Sequence, residues 1–400
     1  MRVLYLDHTA QVSGAERSLL ELIDGTMEHA AVLLACPEGE LARRARAQGI
    51  ATLPIAPSRG SFGSSYRELL PALARLVRTG LRVRAQARRH GVDVIHACSP
   101  RAGLIAALSG PGGPRRVVDV RDTLPGGPRG SVVRRLLRLT ADALVFNSSF
   151  TCSRFGATGP AQAAVAYPPV DLERLLQLPL SARGEPRRPP TLGVVGQISP
   201  WKGQDDAIRI LAGVRERVPG ARLRIVGAVV FSGPEVTFDN DAFHRRLVEL
   251  ADELGVGDAV ELCGATDDLE SAFGAIDVLL VPSWEEPFGR VVAEAMAAGV
   301  PVVATCRGGP AELIEGGVSG YLAQPRDPVA WTDTCVRLLT DAPLRARIGN
   351  GGRRRITSVL DRRESIEQAL RLYRGLTNGR PARVRTVRRD VDRNAEVGRG

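Results

Sequence analysis

Short apolar runs alternate with helix-like stretches along most of this chain, and this alternation constrains the fold more than any other feature of the sequence. In the first half we predict buried strands at residues 2–7, 31–35, 93–97, 116–120 and 143–147. Helices are predicted between them at residues 13–23, 66–90, 102–109 and 132–140. Nearly continuous apolar strands that alternate with helices are typical of a doubly wound parallel sheet.

The same pattern restarts after a proline-rich break. Residues 177–190 contain four prolines and no apolar periodicity, which predicts an interdomain linker. Further strands are predicted at residues 192–195, 222–226, 259–263, 277–281 and 301–304. A chain of 400 residues has room for two domains of ordinary size. We therefore predict the following order: a Rossmann-like domain over 1–176, the linker over 177–190, a second Rossmann-like domain over 191–360, a C-terminal helix over 361–377 and a disordered basic tail over 378–400.

The cysteines and the N-terminus exclude several classes of protein. Six cysteines are scattered without a CxxC pair, which argues against a structural zinc site or a disulfide scaffold and favours a reducing cytosol. The first residues, MRVLYLDHT, lack the apolar core of a signal peptide, and no apolar run approaches the ~18–20 residues that span a bilayer. We expect a cytoplasmic protein, working free in the cytoplasm or at the inner face of the membrane.

The basic residues are unusual in type and in placement. Of the 54 basic residues, 53 are arginine and one is lysine, at position 202. A single lysine in such a chain indicates a site that needs a compact ammonium group. The net charge is +10, and the basic excess lies in residues 1–180 and in the tail. Such charge could meet anionic lipid, an anionic acceptor or nucleic acid.

Ligands of open α/β sheets bind at the carboxyl ends of the strands, so two such domains are expected to face each other across a ligand-binding cleft. Lys202 lies in a glycine-flanked loop, GQISPWKG, after the first strand of the second domain, which suits a phosphate ligand. Gly14 lies just before or at a predicted helix start after the first strand. Such a glycine either opens the helix start to an anion or forms a plain turn.

The segment IDVLLVPSWEEPFGRVVAEAMAAGVP predicts a buried strand, a loop and a helix whose first turn contains Pro287. Glu286 and Glu294 are eight positions apart, which along a helix axis is roughly 12 Å. Two carboxylates at that separation could bind the two sugars of a nucleotide sugar. The alternative is that Glu286 caps the helix and Glu294 is solvated.

These residues resemble glycosyltransferase family 4, whose members have the GT-B fold. The resemblance spans about residues 2–375. It is carried by the SGAE loop, the GQISPWKG loop, Glu286 and Glu294 in E-x7-E, and the segments EAMAAGVPVVAT and GGPAELIEGGVSGYL. The family implies retaining transfer of a sugar from a nucleoside diphosphate sugar, with that donor as co-substrate and with neither a cofactor nor a metal.

The resemblance implies a role for each matching residue. Lys202 would hold the donor diphosphate, Glu286 the hydroxyls of the transferred sugar, and Glu294 the ribose. The backbone amides of Phe288 and Gly289 would face sugar and phosphate, while Gly14 would let the first domain close on the phosphates. The resulting candidates are as follows: catalytic, Arg121, Asp122, Lys202 and Glu286; donor-binding, Gly14, Gln197, Lys202, Glu286, Phe288, Gly289 and Glu294; metal-binding, none.

The sequence departs from the family pattern in two places. Gln197 stands where the family often has an arginine that contacts phosphate. Arg121 and Asp122 stand where many members have a histidine near the acceptor, so the catalytic role of that position is open. His96, at a predicted strand end, either faces the cleft or is a structural core residue. Asp267 and Asp268 are interpreted as solvated surface.

The predicted helix 66–90 has seven arginines between apolar residues. It is either an ordinary surface helix packed on the sheet or a basic amphipathic segment that lies on anionic lipid. Nucleic-acid binding has only charge in its favour, because the sequence lacks a known module and aromatics make up only 4%.

The expected function is transfer of a hexose-type sugar to a glycan, lipid-linked or small-molecule acceptor. The alternatives are a non-catalytic nucleotide-sugar-binding protein and a sugar-nucleotide epimerase or phosphorylase of the same fold.

Overall fold

The computed structural model describes residues 1–57, 66–108, 113–156, 162–179, 189–233 and 237–379, and for residues 66–72 it describes the backbone only. By its internal contacts the chain divides into two units. The first contains residues 1–169 and 361–379, and the second contains residues 170–233 and 238–360. Residues 170–176 thus lie in the second unit, and the C-terminal helix lies in the first.

The first unit contains a parallel sheet with the strand order β3-β2-β1-β4-β5-β6-β7. Its strands are β1 (Arg2–Leu6), β2 (Ala31–Cys36), β3 (Ala51–Pro54), β4 (Val94–Ala97), β5 (Arg115–Val120), β6 (Ala143–Phe146) and β7 (Gln162–Val165). The chain builds the sheet outward in one direction from β1 and then in the other from β4. The loops after β1 and β4 therefore flank the switch point at which ligands bind in open α/β sheets.

Helices cover both faces of this sheet. They are α1 (Gly14–Met27), α2 (Glu40–Ala47), α3 (Tyr66–Arg89), α4 (Pro100–Ala107), α5 (Gly127–Thr140) and α6 (Ser149–Phe155). Leu19 of α1 and Leu41 of α2 pack in one core. Val83 of α3, Ile105 of α4 and Leu137 of α5 pack in another core, so α3, α4 and α5 form a layer of their own.

The second unit contains a parallel sheet with the order β10-β9-β8-β11-β12-β13. Its strands are β8 (Thr191–Val195), β9 (Arg222–Val226), β10 (Val260–Gly264), β11 (Val278–Val281), β12 (Val302–Thr305) and β13 (Tyr321–Ala323). The helices are α7 (Glu173–Leu176), α8 (Gln204–Arg215), α9 (Asn240–Glu253), α10 (Leu269–Gly274), α11 (Arg290–Ala297), α12 (Pro310–Leu313), α13 (Pro328–Thr340) and α14 (Ala342–Val359). The order reverses between β8 and β11, which are hydrogen-bonded neighbours. The loops after these two strands lie at the switch point of this unit.

The last helix, α15 (Arg362–Thr377), completes the first unit. Its apolar residues Ile366, Leu370 and Tyr373 are buried in the same core as Leu19 of α1. The first unit is therefore built from two stretches of chain that are far apart in sequence.

The predicted fold class is confirmed, since both sheets are parallel and covered by helices. The prediction omitted β3 and β7, because their sequences, ATLP and QAAV, are short and offer almost no β-branched apolar residues. Of the predicted linker, residues 180–188 lie outside the described residues, as do residues 380–400 of the predicted tail. Within the described part of the chain, none of the helices has the length and apolar character needed to cross a membrane.

Candidate functional site

In the second unit, the loops at the carboxyl ends of β8, β11 and β12 meet, and the first two of them bring Lys202 and Glu286 together. The loops after β8 and β11 lie side by side, and the Trp284 backbone N–H donates a 2.9 Å hydrogen bond to the Trp201 carbonyl. The loop after β12 contacts the loop after β11 through Glu286 and Gly308. Parallel strands end at one edge of a sheet, which explains why residues from sequence-distant loops meet here.

Lys202 lies at the end of a short 3₁₀ turn, Pro200–Lys202, directly before α8. Its Nζ atom is 2.7 Å from Glu286 Oε2 and 4.2 Å from the centre of the Trp201 ring. The next residue, Gly203, has a φ of +72°, and a Cβ atom there would lie 2.3 Å from the Pro282 carbonyl oxygen. Only glycine fits this turn, and the turn aims Lys202 at the loop after β11.

Glu286 is buried, and its carboxylate has two donors. Ser283 Oγ donates a 3.0 Å hydrogen bond to Oε2, the oxygen that also contacts Lys202. Its backbone is held by the loop after β12, since the Glu286 N–H donates to the Arg307 carbonyl and the Gly309 N–H donates to the Glu286 carbonyl. A side chain at Gly308 would collide with that carbonyl, because a Cβ atom there would be 1.9 Å from it.

The predicted start of this helix, with Glu286 in the cap region and Pro287 in the first turn, is wrong. Helix α11 begins at Arg290, after Gly289 with a φ of +89°, so Glu286 and Pro287 lie in the preceding loop. The backbone groups of Glu286 are engaged by Arg307 and Gly309, which holds the segment out of the helix. The separation of roughly 12 Å expected from a continuous helix therefore does not apply.

The start of α11 has features of an anion site, and Glu294 lies one turn further along. Gly289 supplies no side-chain cap, and the first turn contains no acidic residue. Helix starts of this kind favour negative charge. Phe288 is buried beside it, and Glu294 is buried with its Oε1 accepting a 2.7 Å hydrogen bond from Arg290 Nε.

Gln197 is half-buried in the loop after β8, and its carbonyl oxygen accepts a 2.9 Å hydrogen bond from Gln204 Nε2. The Arg326 and Arg209 side chains near the start of α8 form ion pairs with Asp205 and Asp206. These two arginines are thus paired with aspartates, whereas Lys202, in the loop after β8, is paired with Glu286.

The remaining predicted residues lie in the first unit. Gly14 is exposed as the first residue of α1, and Ser13 before it forms a capping box in which its N–H and Oγ bond to Glu16 Oε2 at 2.8 and 2.5 Å. Burial and the neighbouring Asp7 raise the pKa of Glu16. The helix start at Gly14 is thus already ordered by a carboxyl group.

Arg121 is buried and fully engaged with its own unit. Its Nε and Nη2 donate to Asp119 Oδ2 at 2.9 and 2.6 Å, and its Nη1 donates to the Ala15 carbonyl at 2.6 Å. Burial by itself would raise the pKa of Asp119, but His96 and Arg121 lower it to about 2. Arg121 therefore fastens the end of β5 to the first turn of α1, while Asp122 is exposed.

His96 is a buried structural residue within β4. Its Nδ1 lies 2.5 Å from the Tyr373 hydroxyl and its Nε2 lies 2.9 Å from Asp119 Oδ1. The Tyr373 hydroxyl is in turn 3.2 Å from that of Tyr5. Sequence reasoning missed Asp119 and Tyr373, although a carboxylate inside the apolar strand RVVDV was a signal for a buried partner.

A second group that the sequence reasoning missed lies at the switch point of the first unit. His8 Nδ1 is 2.9 Å from Ser99 Oγ and 3.4 Å from Asp7 Oδ1, and its side chain is 26% exposed. The available signal was that Asp7 and Ser99 follow β1 and β4, which are neighbours in the sheet.

Among the described residues, no group of three or more His, Cys, Asp or Glu side chains could hold a metal ion. Asp267 and Asp268 are exposed, and Asp268 caps α10 by accepting a 3.0 Å hydrogen bond from the Ser271 N–H.

Two family models together match most of the chain. The model described as Glycosyltransferase Family 4 matches residues 12–174, and the model described as Glycosyl transferases group 1 matches residues 181–355. The chain belongs to glycosyltransferase family 4. The second match contains Lys202, Glu286 and Glu294, and the first contains Gly14 and Arg121.

Curated relatives in this family match the chain over part of their length. A D-inositol 3-phosphate glycosyltransferase from Salinispora arenicola is 36% identical over 230 residues, which is 54% of this chain and 50% of the relative. A GDP-mannose-dependent alpha-(1-6)-phosphatidylinositol monomannoside mannosyltransferase from Mycobacterium tuberculosis is 35% identical over 245 residues, which is 57% of this chain and 60% of the relative. The chain thus spans about half the length of the first of these relatives.

Two solved structures share the fold of this chain. Anabaena HepE in complex with UDP and glucose has a TM-score of 0.77 at 24% identity, covering 92% of this chain and 98% of HepE. Sucrose-phosphate synthase from Thermosynechococcus elongatus also has a TM-score of 0.77, at 21% identity, covering 95% of this chain and all of the other. The two α/β units of this family 4 chain therefore have the GT-B fold.

Proposed function

We propose that this family 4 chain is a retaining glycosyltransferase that moves a hexose-type sugar from a nucleoside diphosphate sugar to an acceptor. The observation that carries the proposal is the 2.7 Å contact between Lys202 Nζ and Glu286 Oε2, beside the uncapped start of α11. A cation, a helix start and a buried carboxylate at one switch point provide groups for both the diphosphate and the sugar of such a donor.

Lys202 binds the diphosphate in this proposal. Its side chain is 18% exposed, and its ammonium group is fixed by Trp201 and Glu286, so little reorganisation is needed when charge develops on the leaving group. Fixed donors aimed at developing charge account for a large share of catalysis in such reactions. The N–H groups near Phe288 and Gly289 add the positive end of α11.

The two glutamates bind the sugars at either end of the diphosphate. Glu286 accepts hydrogen bonds from hydroxyls of the transferred sugar, and Glu294 accepts them from the ribose. Both are buried, and their orientations are fixed by hydrogen bonds, to Glu286 from Ser283 and Lys202 and to Glu294 from Arg290. Gln197, in the same loop as Lys202, contributes polar backbone to the donor.

We assign Arg121 a positioning role rather than contact with the reacting atoms. Its three bonded nitrogens point to Asp119 and Ala15, so its guanidinium orders the first turn of α1. Asp122, which is exposed in the same loop, remains the candidate for contact with the acceptor.

The names of the relatives support a proposal for the classes of donor and acceptor. The named relatives act on D-inositol 3-phosphate and on a phosphatidylinositol monomannoside, and the HepE structures contain UDP or UDP-glucose. We propose UDP- or GDP-hexose as donor and a glycan, lipid-linked or small polyol phosphate as acceptor, with the protein working in the cytoplasm at the inner membrane face.

The test is a donor screen followed by an acceptor assay. UDP-, GDP- and ADP-sugars are tested for protection of the purified chain against thermal unfolding, because a ligand that binds the folded state raises its stability. The protecting donor is then incubated with candidate acceptors, and nucleoside diphosphate release and the anomeric configuration of the product are measured. Acceptor-dependent release with a product of retained configuration supports the proposal.

A non-catalytic nucleotide-sugar-binding protein is the second candidate, and the engagement of Arg121 by Asp119 favours it. Donor protection without acceptor-dependent release would favour this candidate. Conversion of the free donor without an acceptor would favour the epimerase or phosphorylase alternative.

A further inference from the structure

Arg326 lies in the loop between β13 and α13, and its backbone conformation is unusual. In the part of the chain that the structure describes, it is the one non-glycine residue with a positive φ, at +64°. A side chain in this left-handed region costs free energy, and it persists where surrounding contacts hold it. The loop is fixed at both ends, since Trp331 Nε1 donates a 2.8 Å hydrogen bond to the Gln324 carbonyl and Asp327 caps α13. The loop therefore holds the Arg326 side chain in one direction at a cost in free energy.

The guanidinium group of Arg326 contacts the first turn of α8. Its Nη1 atom is 3.1 Å from Asp205 Oδ2 and 3.4 Å from Asp206 Oδ2. Burial and the neighbouring Asp205 raise the pKa of Asp206, so this pair of carboxylates is stabilised in its charged form by nearby cations. The two aspartates follow Lys202 by three and four positions. Arg326 thus holds the helix turn that begins directly after the lysine.

The same guanidinium group also lies over Trp284, in the loop after β11. The Cζ atom of Arg326 is 5.4 Å from the centre of the Trp284 ring, which is within the range of a cation–π interaction. Phe238 packs edge to face on the same ring, with the ring centres 5.8 Å apart. Trp284 lies two positions before Glu286, and its backbone N–H donates to the Trp201 carbonyl. Arg326 therefore also holds the loop that contains Glu286.

One side chain thus contacts both segments that supply the pair of Lys202 and Glu286. The 2.7 Å distance between Lys202 Nζ and Glu286 Oε2 depends on where the start of α8 lies relative to the loop after β11. Arg209 also forms ion pairs with the two aspartates of α8, but of these two arginines it is Arg326 that lies over Trp284.

We propose that Arg326 is a positioning residue that sets the place of Lys202 relative to Glu286 and does not itself touch the donor. This role rests on the proposed function, in which those two groups bind the diphosphate and the transferred sugar. A fixed cation stabilises developing charge only when it is already in place, and a displacement of about 1 Å can cost about 10²-fold in rate. The Arg326 side chain is 50% exposed, so its ion pairs add little to the free energy of unfolding. Its contacts therefore act on the geometry of the site more than on the stability of the fold.

Two substitutions at position 326 separate positioning from backbone strain. Arg326→Asn removes the guanidinium group, and asparagine tolerates a positive φ better than most side chains do. We expect its free energy of unfolding in urea to equal or exceed that of the unaltered chain. Its kcat should fall by about tenfold, while KM for the donor changes by less than about threefold. Arg326→Lys keeps a cation at the strained position and should recover kcat to within about threefold of the unaltered chain.

The chain's one lysine allows its position to be measured directly. With isotopically labelled lysine, the full chain gives a single set of lysine side-chain NMR signals. The Trp201 ring, whose centre is 4.2 Å from Nζ, shifts the signals of the neighbouring Cε hydrogens away from their positions in the unfolded chain. Arg326→Asn should move these signals toward the unfolded positions. Trp284→Leu should do the same, because the proposed link passes through that ring.

Arg209→Gln is the matched control. It removes a cation from the same two aspartates, so it should leave both the lysine signals and kcat unchanged if the contact with Trp284 is what matters. An equal effect of Arg209→Gln and Arg326→Asn would overturn the proposal, since pairing of the aspartates would then be sufficient.

Unmoved lysine signals in Arg326→Asn would overturn the proposal whatever the turnover. So would a normal kcat in that variant, or a fall in kcat that accompanies a fall in the free energy of unfolding, because the role of Arg326 would then be structural. Failure of the proposed function is a different result. In that case the unaltered chain would release no nucleoside diphosphate with any acceptor, and the lysine signals would still decide whether Arg326 positions Lys202.

Discussion

Lys202 Nζ lies 2.7 Å from Glu286 Oε2, although 84 residues separate the two in the chain. The contact joins the loop after β8 to the loop after β11, where the strand order of the second unit reverses. It also joins the chain's one lysine to a carboxylate that is buried and hydrogen-bonded by Ser283. The donor-site proposal therefore makes its sharpest predictions at this pair.

Lys202→Ala is expected to lower the transfer rate by about 10²–10³-fold, because it removes a fixed cation from the leaving diphosphate. Lys202→Arg should recover only part of the rate, since the space between Trp201 and Glu286 holds a compact ammonium group. Turnover of the protecting donor is the measurement, and Arg245→Ala serves as an exposed-cation control. Near-normal turnover of Lys202→Ala with an intact fold would refute the phosphate role.

Glu294→Ala is expected to weaken binding of the nucleoside diphosphate by about tenfold through loss of the ribose hydrogen bond. Calorimetric titration with the ribonucleotide and its 2′-deoxy analogue tests this directly. The unaltered chain should prefer the ribonucleotide, and Glu294→Ala should bind the two alike. Arg290→Gln breaks the same 2.7 Å ion pair but should keep the preference. If Glu294→Ala still discriminates between the two nucleotides, the ribose contact is wrong.

Gly203→Ala should destabilise the second unit and displace Lys202. An alanine there must keep a φ of +72°, and its Cβ atom would lie 2.3 Å from the Pro282 carbonyl oxygen. Gly255→Ala isolates the first effect, since Gly255 has a φ of +66° and open space around it. We expect a loss of unfolding free energy of about 1 kcal/mol for Gly255→Ala and about 3 kcal/mol for Gly203→Ala, with donor affinity reduced only in the latter. If urea unfolding showed the same loss of unfolding free energy for both variants, the contact between the added Cβ atom and the Pro282 carbonyl would contribute nothing to the destabilisation.

Asp119 should make the unfolding free energy of the first unit depend on pH in the acidic range. Its pKa is lowered from 3.8 to about 2, so its contribution is fully present above about pH 4 and is lost as the pH falls toward 2. The contribution is about 2 kcal/mol at neutral pH. The difference in unfolding free energy between the unaltered chain and Asp119→Asn should therefore shrink between pH 5 and about pH 2.

The control for this titration is Asp333→Asn, which removes an exposed partner of Arg217. It should cost less than about 1 kcal/mol at any pH. A pH-independent difference for Asp119→Asn would show that its role is packing rather than charge.

A strand or site residue could be predicted from the sequence when its signal lay within a few neighbouring residues. The buried strands were found because apolar runs such as VLLV are complete within a few residues. Lys202 was found because it is unique in composition and lies in a glycine-bounded loop. Both signals can be read without knowing which segments meet in space.

The errors arose where distant backbone decides the local conformation. Helix α11 starts at Arg290 because Arg307 and Gly309 hold the backbone of Glu286, and nothing within the segment 286–294 reveals that. The bond from Arg121 to the Ala15 carbonyl could likewise not be predicted from the sequence around β5, because Ala15 lies 106 residues earlier.

The return of α15 to the first unit has a consequence for synthesis. Tyr5 and Leu19 leave the ribosome early, but Tyr373, which shares their core, is made only after the whole second unit. The nascent first unit must wait for the whole second unit to be translated before that core is sealed. Until then the apolar side of α1 is exposed and can be bound by chaperones. A chain truncated before Arg362 would lack α15, and this apolar side would stay exposed permanently.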